Sequence, residues 1–167
     1  MSTKKHKKST KITNKIELVK HPTENKFVLD VPVLNEEELP TISVITITRN
    51  RKHLFDMPIY NWKNFLYPRS KLEWVIVDDS DKDDQDLGDI LDVFIKNNDS
   101  IKYIKVNEDK FLNTNNNQVF MDIAAKRNYA IENCSGEYIA IMDDDDYYFP
   151  DNLMAKVRIL KHTKLKC

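Results

Sequence analysis

Runs of apolar positions, spaced by polar stretches, divide the chain from Thr41 onward into alternating strands and helices. "ISVITIT" (42–48) is dominated by β-branched residues and predicts a strand buried on both faces. "EWVIVDDS" (73–80) predicts a second strand that ends in two aspartates. "IKYIKV" (101–106) alternates like a strand with one wetter face, and "EYIAIM" (137–142), apolar on both faces, predicts a central strand.

Between these runs the spacing is helical. Phe55, Ile59, Trp62 and Leu66 share a face, with Pro58 placed in the first turn. Leu87, Leu91 and Phe94 stripe a second helix. Ile123, Arg127, Ala130, Ile131 and Cys134 share one side of a third, which Gly136 can end. Pro150, Asp151 and Asn152 open a fourth that turns Leu153, Val157 and Leu160 inward. "NEDKFLNTNNNQ" (107–118) reads as a polar loop. Alternating strands and helices predict an α/β fold of three layers, α/β/α, with a mostly parallel sheet.

Three segments follow from this reading: a basic disordered tail over 1–25, a linker or short edge strand over 26–40 limited by Pro32 and Pro40, and one folded domain over 41–167. At 167 residues the chain can bury a sizeable core. The net charge of -1 conceals an uneven distribution, with lysines at 4, 5, 7, 8, 11, 15 and 20 and acids gathered at 78–92 and 143–151. No basic face continues the basic arm into the body, so no nucleic-acid partner is expected. No apolar run approaches the roughly 18–20 residues of a membrane span. Cys134 and Cys167 form neither a disulfide framework nor a metal pattern, and predict reduced thiols in a cytoplasmic protein. Gly88 and Gly136 are the only glycines, which excludes a glycine-rich phosphate loop, a dinucleotide fingerprint and a nucleophile elbow.

The chemistry gathers where strands end. "TRNR" (48–51), "DDSD" (78–81) and "DDDD" (143–146) each follow a predicted strand, and open parallel sheets bind ligands outside their carboxyl ends. Helix capping accounts for Asp84 and Asp151 but poorly for four adjacent carboxylates, which repel unless solvent or a cation screens them. If the chain stays extended past Met142, Asp143 and Asp145 face one way and Asp144 and Asp146 the other. An Asp-x-Asp pair on one side suits a hard divalent cation, Mn²⁺ or Mg²⁺, shared with substrate phosphates. A calcium loop would require glycine and an acid where Tyr148 and Met154 stand.

"PTISVITITRNR", "EWVIVDDS" and "KRNYAIENCSGEYIAIMDDDDYYFPDNL", in this order, resemble family 2 glycosyltransferases of the GT-A fold over about Pro40 to Leu160. The resemblance implies a glycosyltransferase, or its donor-binding half, that moves a hexose-type sugar from a nucleotide-diphosphate donor, uridine type favoured, to an unknown glycan or protein acceptor. It implies that Thr48, Arg49 and Asn50 contact the nucleotide, that Asp78 or more naturally Asp79 binds the base, and that Arg127 and Asn128 frame the pocket. Asp144 would reach the ribose, and Asp145 with Asp143 would hold the metal. The catalytic base is expected beyond the Asp-x-Asp element, so the chain is expected to hold the donor half and to transfer sugar poorly; His162 is the one base by residue type after Asp146.

Two departures stand out. The usual Pro-x-Tyr-Asn is "TITRN", putting Arg49 where an aromatic ring would stack, and Ser80 replaces a glycine. A catalytically inactive nucleotide-sugar-binding module is the alternative reading. A phosphorylation receiver would need its acidic pair on the first strand, and a sugar nucleotidyltransferase would need a glycine-rich first loop.

Overall fold

The computed structural model describes residues 15–81, 85–96, 98–106 and 121–163. These residues form strands β1 (Glu17–Lys20), β2 (Phe27–Asp30), β3 (Ile42–Thr48), β4 (Leu72–Asp78), β5 (Ile101–Lys105) and β6 (Tyr138–Ile141). The helices are α1 (Asp56–Asn64), α2 (Gly88–Ile95), α3 (Ile123–Glu132) and α4 (Asn152–His162). β3 to β6 make one parallel sheet in the order β5-β4-β3-β6.

Alternation along the strands divides the core in two. Val44, Trp74 and Ile76 face a large cluster with Phe55 just before α1, Trp62 of α1, Leu91 of α2, and Leu153 and Val157 of α4. Ile45, Val75 and Val77 face the other way onto Ala130 of α3. The result is the expected α/β/α arrangement, with three helices on one face and one on the other. Trp74 anchors the larger side, stacked on Trp62 at 5.4 Å and Phe55 at 6.0 Å between ring centroids. A buried tryptophan needs a partner for its N–H, and Thr46 Oγ1 accepts it at 2.9 Å. The same hydroxyl donates to the Met142 carbonyl at 2.8 Å. One side chain thus ties β4, β3 and the strand end that leads into the aspartates.

Several expectations change. Residues 17–20, expected within the tail, form a strand because 27–30 supplies an antiparallel partner, from Glu17↔Asp30 to Lys20↔Phe27. β2 accordingly belongs to a separate hairpin and not to the edge of the main sheet. Residues 1–14, the polar loop at 107–118 and Cys167 lie outside the described residues. "EYIAIM" is not central: among the described strands β6 pairs with β3 alone and forms an edge, leaving Ile139 and Ile141 exposed. α1 stops at Asn64, so Leu66 is exposed and Phe65 is buried in its place.

The buried face of α3 consists of Lys126 and Ala130, while Ile123 and Ile131 point outward. Apolar spacing misplaces that face because a charged residue occupies it. Gly136 does not cap α3 in a left-handed conformation, since no glycine has positive φ among the described residues. It lies against β3 so closely that an added Cβ would sit 2.5 Å from the Ser43 amide nitrogen and 2.8 Å from the Ile42 carbonyl carbon.

Candidate functional site

The strand register builds the site. β3 and β4 end level, Thr48 opposite Asp78, whereas β6 pairing stops at Ile45↔Ile141. The chain after β6 therefore rises beside the last residues of β3, bringing Asp143 to Asp145 next to Thr48. A cleft of about 590 Å³ opens there, lined by Thr48, Arg49 and Arg51 after β3, Met121 to Ile123, Lys126 and Arg127 of α3, and Asp143, Asp144 and Asp145.

Thr48 Oγ1 donates to Asp144 Oδ2 at 2.7 Å, and Arg51 Nη1 donates to Asp144 Oδ1 at 2.8 Å and to Asp145 Oδ2 at 3.0 Å. Arg127 Nη2 lies 3.5 Å from Asp143 Oδ1. Two arginines thus screen three of the four aspartates, and Asp144 raises the Arg51 pKa through its hydrogen bond and charge. The chain turns at Asp144–Asp145. The extended run assumed from sequence is broken there, so Asp144 faces the cleft along with Asp143 and Asp145. Asp146 departs from them: its carbonyl accepts from the buried Asn61 Nδ2 at 2.8 Å. Asn61 Oδ1 also accepts from the Tyr148 amide at 3.0 Å, and Tyr148 accepts from the Asp143 amide on its hydroxyl at 3.1 Å. Asn61 of α1 and Tyr148, just after the acidic run, bracket the acidic turn.

The β4 end is stitched to the β3 end. Asn50 takes a left-handed conformation, φ 53°, which asparagine tolerates better than most residues. Its amide donates to Ser80 Oγ at 2.7 Å, and Ser80 donates from both amide and hydroxyl to Asp78 Oδ1. Ser80, where the family commonly has glycine, is thus a bridge between the two loops. Asn50 Nδ2 and Arg49 Nη2 both donate to Asp81, holding its carboxyl below the ordinary aspartate range.

Neither candidate base acceptor lines the cleft. Asp78 is fully buried and accepts from Tyr103 Oη at 2.8 Å, with Lys105 Nζ at 3.5 Å. Burial and this carboxylate push the Tyr103 phenol far above its usual pKa. Asp79 is held on Oδ1 by Lys126 and on Oδ2 by the Met121 amide at 3.2 Å. Arg127 lines the cleft, while Asn128 is exposed and does not line it. His162, at the end of α4, lies with Nδ1 2.8 Å from the Arg158 carbonyl oxygen, and does not line the cleft. Sequence reasoning missed Lys126, Asn61 and Asp122, and gave Arg51, inside the "TRNR" cluster, no role of its own. Asp122 caps α3, accepting from the Ala125 amide at 2.7 Å; an Asp immediately before a helical stretch was a readable signal. Lys126 carried none.

Among the described residues no helix is long and apolar enough to cross a membrane, and no group of three or more His, Cys, Asp or Glu side chains is gathered to hold a metal by itself.

A family model described as Glycosyl transferase family 2 matches residues 43–165. No curated protein matches by sequence. Among solved structures, mannosyltransferase PcManGT from Pyrobaculum calidifontis, in complex with GDP-Man and Mn²⁺, is similar with TM-score 0.57 and 24% identity over 78% of this chain and 35% of its own. S. aureus TarS 1-349 is similar with TM-score 0.56 and 21% identity over 72% of this chain and 32% of its own. Its complex with UDP-GlcNAc gives TM-score 0.53 and 22% identity over 72% and 31%. The chain spans about a third of each of these proteins, and the likeness establishes the shared GT-A fold. By the family match, the chain belongs to glycosyltransferase family 2.

Proposed function

We propose that the cleft binds a nucleotide-diphosphate sugar together with a divalent cation, as the donor site of a glycosyltransferase acting on a hexose-type donor. The observation that carries this reading is the meeting of Asp143, Asp144 and Asp145 with Arg51 and Arg127 at the carboxyl ends of β3 and β6. Arg49, Arg51, Lys126 and Arg127 line the cleft against Asp122, Asp143, Asp144 and Asp145, so the described lining is close to neutral. A diphosphate arriving alone meets four carboxylates, and a cation arriving alone meets four basic groups. Together they nearly cancel, which favours joint binding.

The carboxylates fit Mn²⁺ or Mg²⁺. Asp143 and Asp145 are about half exposed and supply hard oxygen donors. Two carboxylates with substrate phosphates are a normal set for such an ion. When bound, the ion would neutralise charge on the departing nucleoside diphosphate. Asp144, held by Thr48 and Arg51, keeps the turn in place beside it. Arg51 and Arg127 are within reach to take phosphate oxygens once a cation claims their aspartates. Thr48 and Arg49 line the cleft at the end of β3, whereas Asn50 does not line it and ties that end to Ser80 and Asp81. The complexes of the similar proteins, GDP-Man with Mn²⁺ and UDP-GlcNAc, support a nucleotide-sugar ligand; a uridine-type donor is the favoured one, and the acceptor is a glycan or protein still to be identified.

The test is donor turnover, followed as release of nucleoside diphosphate from UDP- and GDP-sugars with Mn²⁺, with and without a panel of sugar and peptide acceptors. Metal-dependent release supports the reading. Failure of every donor both to bind and to turn over overturns it.

A further inference from the structure

We infer that Asn61 and Tyr148, neither of which lines the cleft, are the positioning residues for the cation-binding carboxylates, acting through the backbone of the acidic turn. This rests on the donor-site reading above. Asn61 is fully buried on α1. Its Nδ2 donates to the Asp146 carbonyl at 2.8 Å, which fixes the far end of the turn. Its Oδ1 accepts from the Tyr148 amide at 3.0 Å, and the Tyr148 hydroxyl accepts from the Asp143 amide at 3.1 Å, which fixes the near end. The segment carrying Asp143, Asp144 and Asp145 is thus held at both ends from one neutral side chain. That side chain has a firm base, because the adjacent Trp62 is stacked on Trp74 of β4 at 5.4 Å.

The bracket differs in kind from the ion pairs around it. Arg51 on Asp145 and Arg127 on Asp143 grip carboxylate oxygens, the atoms that a cation would take. A bound ion therefore displaces those contacts at the moment when the carboxylates must keep one spacing. The contacts that Asn61 and Tyr148 make to the turn go to the Asp146 carbonyl and the Asp143 amide, so they persist with an ion in place. A hard cation binds well only where its oxygen ligands converge at set distances. Ligands that become ordered only on binding lose affinity to that ordering. Loss of the bracket should therefore weaken cation binding and spare cation-free nucleotide binding, since neither residue lines the cleft.

The experiment is titration of Mn²⁺ by spin resonance in saturating UDP, beside calorimetric titration of UDP without metal, on the full chain. Tyr148→Phe removes the hydroxyl alone, and Asn61→Ala removes both ends of the bracket. Should Asn61→Ala not fold, Asn61→Ser takes its place with the same expectation. Tyr67→Phe is the matched control, since the buried Tyr67 hydroxyl donates to the Pro40 carbonyl at 2.7 Å, ahead of β3 at the opposite end of the sheet. Mn²⁺ affinity is expected to fall by about tenfold in Tyr148→Phe and at least as far in the Asn61 variant. Metal-free UDP affinity of both, and the Mn²⁺ affinity of Tyr67→Phe, are expected to stay within about twofold of wild type. Wild-type Mn²⁺ affinity in either folded bracket variant, or an equal loss in Tyr67→Phe, overturns the inference and leaves the donor site standing. Failure of the wild type to bind Mn²⁺ with UDP overturns the donor-site reading, and this inference with it.

Discussion

One guanidinium, that of Arg51, bridges two of four consecutive aspartates, with Nη1 2.8 Å from Asp144 Oδ1 and 3.0 Å from Asp145 Oδ2. Asp144 is 5% exposed and Asp145 52% exposed at the side chain, so the arginine joins a buried carboxylate to a solvated one. The buried partner is the one that needs it, because an unpaired buried charge is costly while an exposed ion pair contributes little.

Arg51→Gln is therefore expected to lower stability by about 1–2 kcal/mol, the lower part of the range for a charged hydrogen bond because the guanidinium is itself half exposed. The same change should tighten Mn²⁺ binding in the absence of nucleotide, since Arg51 competes for Asp145. Urea unfolding checks the first effect and titration of free Mn²⁺ by spin resonance the second. Unchanged Mn²⁺ affinity would count against competition at Asp145.

Asn61→Ala removes both hydrogen bonds that bracket the acidic turn, to the Asp146 carbonyl and from the Tyr148 amide. Each leaves a backbone group unpaired, so a loss of about 2–4 kcal/mol is expected across the two. Asn61→Asp keeps an acceptor for the Tyr148 amide but sets a buried carboxylate against the Asp146 carbonyl oxygen, so it should cost at least as much. Chemical denaturation of the three proteins should place both variants below wild type; an Ala variant as stable as wild type contradicts the bracket.

Gly136→Ala places a methyl group against β3 backbone at 2.5 and 2.8 Å. Backbone within a paired strand yields poorly, so a destabilisation of about 1–3 kcal/mol is expected, the range for overpacking. A thermal midpoint unchanged by the substitution would show that β6 and β3 can part at this point.

What sequence reveals here depends on whether the cause is local. The strands β3 and β4 were legible because runs such as "SVITI" and "WVIV" are buried on both faces by their own composition. The gathering of chemistry at strand ends followed from parallel topology alone. β6 misled, because an apolar strand marks sides that can be covered, and among the described strands only β3 pairs with it. α3 misled for a different reason. Lys126 is buried by Asp79, 47 positions away, and no helical spacing encodes that partner. The alternation assigned to the aspartates failed at the turn at Asp144–Asp145, which Asn61 and Tyr148 bracket from outside the acidic run.

Acid should weaken the fold partly through Glu73. Burial raises its pKa, but the Ser135 amide, the Ser43 hydroxyl and the Gly136 amide donate to it, and the net result lies below the ordinary 4.5. A carboxyl depressed in the folded state contributes stability that is present above its unfolded pKa and lost as pH falls through the folded one. Wild-type stability should therefore decline below about pH 4.5, and less steeply in Glu73→Gln. Denaturation series between pH 3 and pH 6 compare them, and parallel declines would remove Glu73 from the explanation.

The central claim is that a diphosphate and a divalent cation bind this cleft jointly through the acidic turn. Calorimetric titration of UDP into wild type, Asp145→Asn and Asp146→Asn, each with and without Mn²⁺, tests it most directly. Asp145 lines the cleft, whereas Asp146 does not, so the account predicts that Mn²⁺ tightens UDP binding to wild type and to Asp146→Asn by at least about tenfold, or 1.4 kcal/mol, and that Asp145→Asn loses most of that gain. UDP affinity unaffected by Mn²⁺, or a greater loss in Asp146→Asn than in Asp145→Asn, would contradict it.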